Sequence, residues 1–197
     1  MKKYQIIYAD PPWAFKNYDN KTAARWVGNK YPVQSKEWLE SLPIRNITDK
    51  NCVLFLWVTM PKLNEAFDLI KAWGFEYKTV AFTWVKRNKK SDSYFWGMGR
   101  WTRSNAELCL LASKGNPKRI SAKVHQIIDT PLERHSKKPN IVRSKIIELM
   151  GDLPRIELFA RKEDSLFEHE DWNGWDVLGN DIDGKDIKQS IKELCKN

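Results

Sequence analysis

The 197-residue chain is short of the features that mark several common protein classes. It has three cysteines, Cys52, Cys109 and Cys195, an odd number with no CxxC spacing. That excludes a disulfide-stapled scaffold and a zinc ribbon, and it fits a reducing compartment. The three histidines, His125, His135 and His169, lack ligand spacing, so no metal is expected. No apolar run approaches the roughly 20 residues of a membrane span. The start Met1-Lys2-Lys3 is basic, but the apolar stretch after it breaks at Asp10, too early for a signal peptide. There is no GxxxxGK(S/T) phosphate loop. Gly97-Met98-Gly99 is a fragment of a glycine loop with no helix after it, and reads as a flexible turn. These absences leave a soluble, cytoplasmic protein.

Acid is scarce over most of the chain. Lys and Arg number 34 against 25 Asp and Glu, a net +9. From Glu163 onward ten acids face four lysines, a net −6, so residues 1–162 carry 30 basic and 15 acidic side chains, a net +15. A basic body of that size suits a polyanion such as nucleic acid, or is simply the charge of a soluble basic protein. Ten tryptophans favour the first, because bases stack on exposed aromatics beside cations.

Tyr4–Ala9 reads as a buried strand running into Asp10-Pro11-Pro12-Trp13, whose prolines confine it to a loop at the strand's end. Residues 14–34 lack periodicity and read as a mobile loop. Ser35 caps a short helix to Leu42. Cys52–Val58 is a continuous apolar run, the pattern of a strand buried on both faces. A helix from Pro61 to Trp73, stopped by Gly74, and a strand Tyr77–Val85 follow. Further strands are expected at Asn105–Ala112, Val124–Ile128, Arg155–Ala160 and Trp175–Leu178. Helices are expected from Pro139 to Met150 and from a cap at Asp183 to the end. Strand, helix, strand with apolar strands is the grammar of a parallel sheet covered by helices. One α/β domain over residues 1–197 is expected, leaving no room for a separate target-recognition domain.

Asp10-Pro11-Pro12-Trp13 carries the chemistry. An Asp at the C-terminal tip of a parallel strand lies where open α/β sheets bind ligands. The prolines stiffen the turn and leave carbonyl oxygens without helical partners, and an aromatic ring follows. Two acceptors and a flat surface suit an amino group on a ring. The lone pair of a purine's exocyclic amine is delocalised. Hydrogen bonds from its N–H groups to a carboxylate and a carbonyl would localise that pair and aim it at an electrophile.

With these residues the sequence resembles the DPPW-type adenine-N6 methyltransferases, the MT-A-seventy family. That family includes the messenger-RNA adenosine methyltransferases and many bacterial and phage members. The likeness runs from about Tyr4 to Gly184 in ordered blocks: Ala9–Trp13, Leu54–Thr59, Thr83–Lys86, Glu107–Leu110 with Lys114–Pro117, Ser136–Pro139, Ile156–Arg161 and Trp175–Asp181. It implies a single Rossmann-like methyltransferase domain with a mostly parallel sheet, and S-adenosylmethionine as cofactor. The catalytic motif would precede the cofactor-binding strand. Asp10 would lie between the target amine and the cofactor, with the Pro11 carbonyl beside it and Pro12-Trp13 packed on the base. Lys138, Glu157, Phe159, Arg161, Glu163, Asn180 and Asp181 would join Asp10 around the cofactor. Tyr31, Lys86, Arg100, Trp101, Arg103, Glu107 and Ser136 would face the substrate. The sequence departs from the family in three places: Ala160 replaces a common glycine, Lys162-Glu163-Asp164 stands where eukaryotic relatives carry a proline and a histidine, and Asp181 replaces an amide.

The expected activity is methyl transfer to the N6 of adenine in nucleic acid, DNA before RNA. A non-catalytic nucleic-acid-binding subunit is the alternative, against which the retained Asp10 speaks. Cytosine N4 or a protein amide is a third possibility, although such motifs usually start with Ser or Asn. Trp57 and Trp84, inside strands, read as core. Lys138 at a helix start opposes the helix dipole unless it meets an anionic or electron-rich group. Specificity is assigned to loops 14–34 and 86–104, to the basic turn around Lys118, or to a partner chain. A homo- or heterodimer rests on analogy with the family.

Overall fold

The computed structural model describes residues 2–14, 33–99, 101–133, 137–161 and 172–196. Seven strands, β1 (Tyr4–Ala9), β2 (Thr48–Val58), β3 (Glu76–Arg87), β4 (Glu107–Lys114), β5 (Ile127–Pro131), β6 (Arg155–Leu158) and β7 (Trp175–Leu178), form one sheet. Their spatial order is β5-β3-β4-β2-β1-β6-β7. The helices are α1 (Lys36–Glu40), α2 (Leu63–Ala72), α3 (Ile141–Met150), α4 (Asn180–Asp183) and α5 (Ile187–Leu194).

Strand periodicity divides the core in two. On one face Ile7, Ala9, Leu54 and Leu56 meet Leu39 of α1, Leu69 and Ile70 of α2, and Ile187 and Ile191 of α5. On the other, Ile6, Tyr8, Val53, Phe55 and Trp57 meet Val142, Ile146 and Met150 of α3. Both faces of β1 and β2 are therefore covered, which is why those strands read as continuous apolar runs. The chain passes from β1 to β2 through α1 on one face and from β5 to β6 through α3 on the other. With β2 and β6 pairing parallel to β1 on either side, the tip of β1 is the topological switch point, where a crevice opens. The fold is Rossmann-like, as expected.

Strand β4 is the exception, antiparallel to both β2 and β3. Residues 88–106 hold no crossover helix among the described residues, and a return without a crossover runs antiparallel. That reversal matters for the site, because the first residue of β4, Glu107, lies at the edge where the parallel strands end. Two other expectations shift. Ladder pairing for β5 starts at Thr83 opposite Ile127, so the strand is Ile127–Pro131 instead of Val124–Ile128. Asp183 belongs to α4, which ends at Gly184 in a left-handed conformation (φ 70°). The cap of the last helix is Asp186, whose carboxylate accepts from the Lys188 N–H at 2.9 Å. The expected mobile loop 14–34 falls almost wholly on residues 15–32, outside the described residues. No helix among the described residues is long and apolar enough to cross a membrane.

One buried polar pair pins β1 to β2 just below the crevice. The Trp57 indole N–H donates to the Tyr8 hydroxyl at 2.7 Å, and both residues are buried. Tyr8→Phe strands that N–H, and the expected loss is about 1–3 kcal/mol, read as a lower urea midpoint with an unchanged slope.

Candidate active site

Asp10 leaves the sheet at the tip of β1, its N–H 3.4 Å from the Leu158 carbonyl of β6. Its carboxylate does not stand alone. Lys138 Nζ donates to Asp10 Oδ2 at 2.7 Å and lies 3.3 Å from Glu107 Oε2. Lys86 Nζ holds the other Glu107 oxygen, Oε1, at 2.5 Å. Two carboxylates and two ammonium groups thus alternate along the edge formed by the carboxyl ends of β1 and β3 and the amino end of β4. Each of the four comes from a different segment.

The sheet sets that order. Trp84 of β3 pairs with Glu107, and Leu108 pairs with Val58 at the end of β2, so Glu107 faces the loops that leave β1 and β2. Lys138 enters from the turn before α3. Two buried tryptophans act as shelves: Lys138 Nζ lies 5.6 Å from the Trp57 ring centroid and Lys86 Nζ 5.0 Å from that of Trp84. Both rings belong to the core, as expected, and their faces hold the lysines in place.

The electrostatics follow from burial against pairing. Burial pushes the Asp10 carboxyl above the usual carboxylate range, and nearby Glu107 adds to the rise, while Lys138 opposes both. Burial also acts on Glu107, but Lys138 and Lys86 outweigh it and hold its carboxyl below the usual range. Lys138 is held well above the ordinary lysine value, because Asp10 and Glu107 overcome its own burial. One carboxylate is firmly ionised and the other is poised higher, a split common at functional sites. The dipole conflict at Lys138 is resolved by these two carboxylates.

Other expected residues fall differently. The Pro11 carbonyl accepts from the Trp13 N–H at 2.9 Å and the Pro12 carbonyl from the Gln34 N–H at 2.9 Å. Each oxygen keeps a second lone pair for an incoming amine. Trp13 is not an open stacking surface. Its ring is 4% exposed, packed in the core, and its indole N–H donates to the Trp57 carbonyl at 3.1 Å. It anchors the loop, since a ring beside two prolines finds more apolar surface below than above. Arg103 is exposed, but its side chain is engaged. Its guanidinium donates to the carbonyls of Gly97 (2.8 Å) and Trp96 (3.1 Å), bracing its own loop. Trp101 stands in solvent.

Toward β6 and β7, Glu157 is buried and both its oxygens accept from Arg143 of α3, at 2.6 and 2.8 Å. A further contact there would have to share them. Phe159 follows in a left-handed backbone conformation (φ 64°), a conformation that non-glycine residues adopt chiefly where function or packing compels it. Arg161 lies at the end of this segment and contributes positive potential at Asp10. Asn180 opens α4 and is exposed, with Asp181 next in the same turn. Gly179 must be small, because a Cβ there would lie 1.9 Å from the Ala160 carbonyl oxygen. Tyr31, Arg100, Ser136 and Glu163 lie outside the described residues. No group of three or more His, Cys, Asp or Glu able to hold a metal occurs among the described residues.

Two expectations about loops are corrected. Gly97-Met98-Gly99 is a tight crossing and not a flexible turn. The Gly97 N–H donates to the Ser104 carbonyl at 2.7 Å, and a Cβ on Gly99 would fall 1.8 Å from the Thr102 carbonyl oxygen. Gly99→Ala should force that loop apart and weaken nucleic-acid binding while leaving the thermal midpoint within a few degrees, which anisotropy and calorimetry would check. The basic turn around Lys118 follows the C-terminal end of β4, away from the edge that holds Glu107. Eight residues of strand separate the two ends by about 23 Å, too far for that turn to shape the pocket at Asp10.

Sequence patterns did not reveal the Arg143–Glu157 clamp, the tryptophan shelves or the Asn105 amide, which ties residues 86, 95 and 105 together. The ordering of the blocks, and the unfavourable place of Lys138 at a helix start, hinted that Lys138 would meet an anionic group.

A doubly wound sheet with a carboxylate poised at its switch point is a Rossmann-like methyltransferase arrangement, and known proteins agree. The chain is 34% identical over 204 residues to the Type II methyltransferase M.MunI of a Mycoplasma species, spanning 95% of this chain and 81% of that protein. It is 28% identical over 184 residues to the N(6)-adenosine-methyltransferase MT-A70-like protein of Drosophila melanogaster and to the human N(6)-adenosine-methyltransferase catalytic subunit METTL3. Those matches span 92% of this chain but 27% and 29% of the two animal proteins. The protein is a methyltransferase. It belongs to the MT-A70 family, whose profile matches residues 4–181.

Proposed function

We propose that this chain transfers a methyl group from S-adenosylmethionine to the N6 amine of adenine in nucleic acid, with DNA preferred to RNA. The observation that carries this reading is the Asp10 carboxylate, held by Lys138 through Oδ2 at the mouth of the switch-point crevice. Oδ1 is left to accept an amine N–H, and the spare lone pair of the Pro11 carbonyl can accept the other. Both bonds draw the nitrogen lone pair out of conjugation and fix its direction, which is positioning with electrostatic stabilisation and needs no strong base.

The donor set suits the cofactor. Its carboxylate would find a cation at Lys138, its sulfonium end the charge of Asp10, and its adenine an exposed amide at Asn180. Phe159, Arg161 and the Glu157–Arg143 pair would wall the ribose side. When bound, S-adenosylmethionine supplies a methyl group on a positively charged sulfur. Asp10 would favour that charge in the approach; as the new N–C bond forms, the methyl–sulfur bond would break with its electron pair left on sulfur, S-adenosylhomocysteine would leave, and Asp10 would receive the surplus amine proton. Length and identity shared with a Type II methyltransferase support DNA over RNA, and the +15 charge of residues 1–162 supports a polymer over a free nucleoside. A target inside a duplex would have to be flipped out, so unpaired or distorted sites should react faster. A single domain, and a homo- or heterodimer as its working form, belong to the same proposal.

The test is transfer of labelled methyl to adenine-containing oligonucleotides, followed by nucleoside digestion and mass spectrometry. N6-methyladenine is the expected product. N4-methylcytosine, or label recovered only in protein, would overturn the assignment.

A further inference from the structure

A cleft of about 920 Å³ opens beside the charged cluster, between the turn Thr59–Pro61 and the loop 95–105. Lys86 and Glu107 lie in its lining, so it starts one side chain away from Lys138 and Asp10. Such a volume is at the upper end of small-ligand sites and more than one base requires. Its outer wall carries Trp101, 94% exposed, and Met98, 78% exposed. Scattered surface apolar groups need no explanation, but two on one short loop over a cation-bearing cleft are a stacking surface. On the opposite wall the Thr59 hydroxyl is buried without a hydrogen-bond partner.

The wall is built before anything binds. Asn105 Oδ1 accepts from the Lys86 N–H at 2.9 Å, while its Nδ2 donates to the carbonyls of Lys86 (2.8 Å) and Phe95 (2.5 Å). One amide therefore ties the end of β3 to both sides of the loop. Arg103 braces the tip, and Gly99 lets the backbone cross itself. A surface ordered in advance spares the binding partner the entropy of ordering it.

We propose that this cleft seats the nucleotide adjacent to the methylated one, in unpaired form, with its base on Trp101, and that Asn105 is the positioning residue that holds the wall. The inference rests on the nucleic-acid reading above. It identifies a subsite for which the target base alone has no use. A paired and stacked neighbour could not reach Trp101, so the cleft selects single-stranded or locally opened substrate.

Binding tests this without requiring turnover. Anisotropy with a short single-stranded DNA carrying one central adenine should show Trp101→Ala binding roughly 5- to 100-fold more weakly than the wild type. Abasic sites placed in turn on each side of the adenine identify the seat. On one of these two substrates the Trp101→Ala penalty should vanish. Asn105→Ala should weaken binding similarly and raise hydrogen exchange across residues 95–104. Binding of Trp101→Ala within about twofold of wild type, or an equal penalty on both abasic substrates, would overturn the subsite. Unaltered exchange in Asn105→Ala would overturn its positioning role. Should wild-type protein bind the oligonucleotide yet yield no N6-methyladenine, the chemistry proposed for Asp10 fails while the binding comparison still decides the cleft.

Discussion

Asp10→Ala is expected to lower methyl transfer by about 10²–10³-fold, the usual cost of losing one preorganised group aimed at the reacting centre. Asp10 has no second route to its role. The carbonyls of Pro11 and Pro12 accept hydrogen bonds but carry no charge, and Glu107 is occupied by Lys86 and Lys138. Asp10→Asn should be nearly as damaging. It keeps the shape, but its uncharged oxygen is a weaker acceptor and cannot balance Lys138. Lys138 keeps Glu107 as a partner in both variants, so the fold should survive, and circular dichroism with the thermal midpoint would establish that. Rates for Asp10→Ala within about tenfold of wild type would remove Asp10 from the chemistry.

Lys138→Met should produce the second-largest effect, and one with a pH signature. Removing the ammonium leaves Asp10 and Glu107 as neighbouring buried carboxylates without the cation between them. Breaking such a pair by deleting one partner costs up to about 3–5 kcal/mol. Asp10 is raised by burial and restrained by Lys138, so without Lys138 it rises further and is protonated more at neutral pH. Activity should therefore fall at pH 7 and recover partly as pH rises, with the acid limb of the rate profile displaced upward. In both proteins the raised Asp10 favours folding while protonated, so its contribution declines from the ordinary carboxylate range up through its raised pKa. The lowered Glu107 works the other way, stabilising above the ordinary range and losing that as pH falls through its folded pKa. An acid limb that does not move in Lys138→Met would break the link between Lys138 and Asp10.

The two variants also separate what could be read early from what could not. The tip of a buried strand followed by two prolines is a local pattern, so the place of Asp10 at the end of β1 was legible from residue type and order alone. The burial of Trp13 was not, because whether a ring faces outward or into the core depends on what lies beneath it, and here Trp57 offers a carbonyl. The backbone contacts of Arg103 were hidden for a similar reason. A guanidinium in a basic loop suggests phosphate, and only the folded loop shows the carbonyls at 97 and 96 accepting from it. The distance of the Lys118 turn from Asp10 was hidden too, since charge counting cannot say at which end of a strand a turn lies.

Period-two and helical spacing, the proline loop, the charge asymmetry and the ordered blocks were all present in the sequence, and they determined an α/β methyltransferase with Asp10 at the tip of a buried strand. These are local or additive properties, which a chain carries before it folds. The tertiary structure decided the rest: a reversed β4 that brings Glu107 to the edge that holds Asp10, a lysine from before α3 placed between two carboxylates, and a cleft walled through Asn105. Each depends on pairing between residues far apart in the chain, Asp10 with Lys138 across 128 positions among them. Only the folded sheet brings those partners within hydrogen-bonding distance.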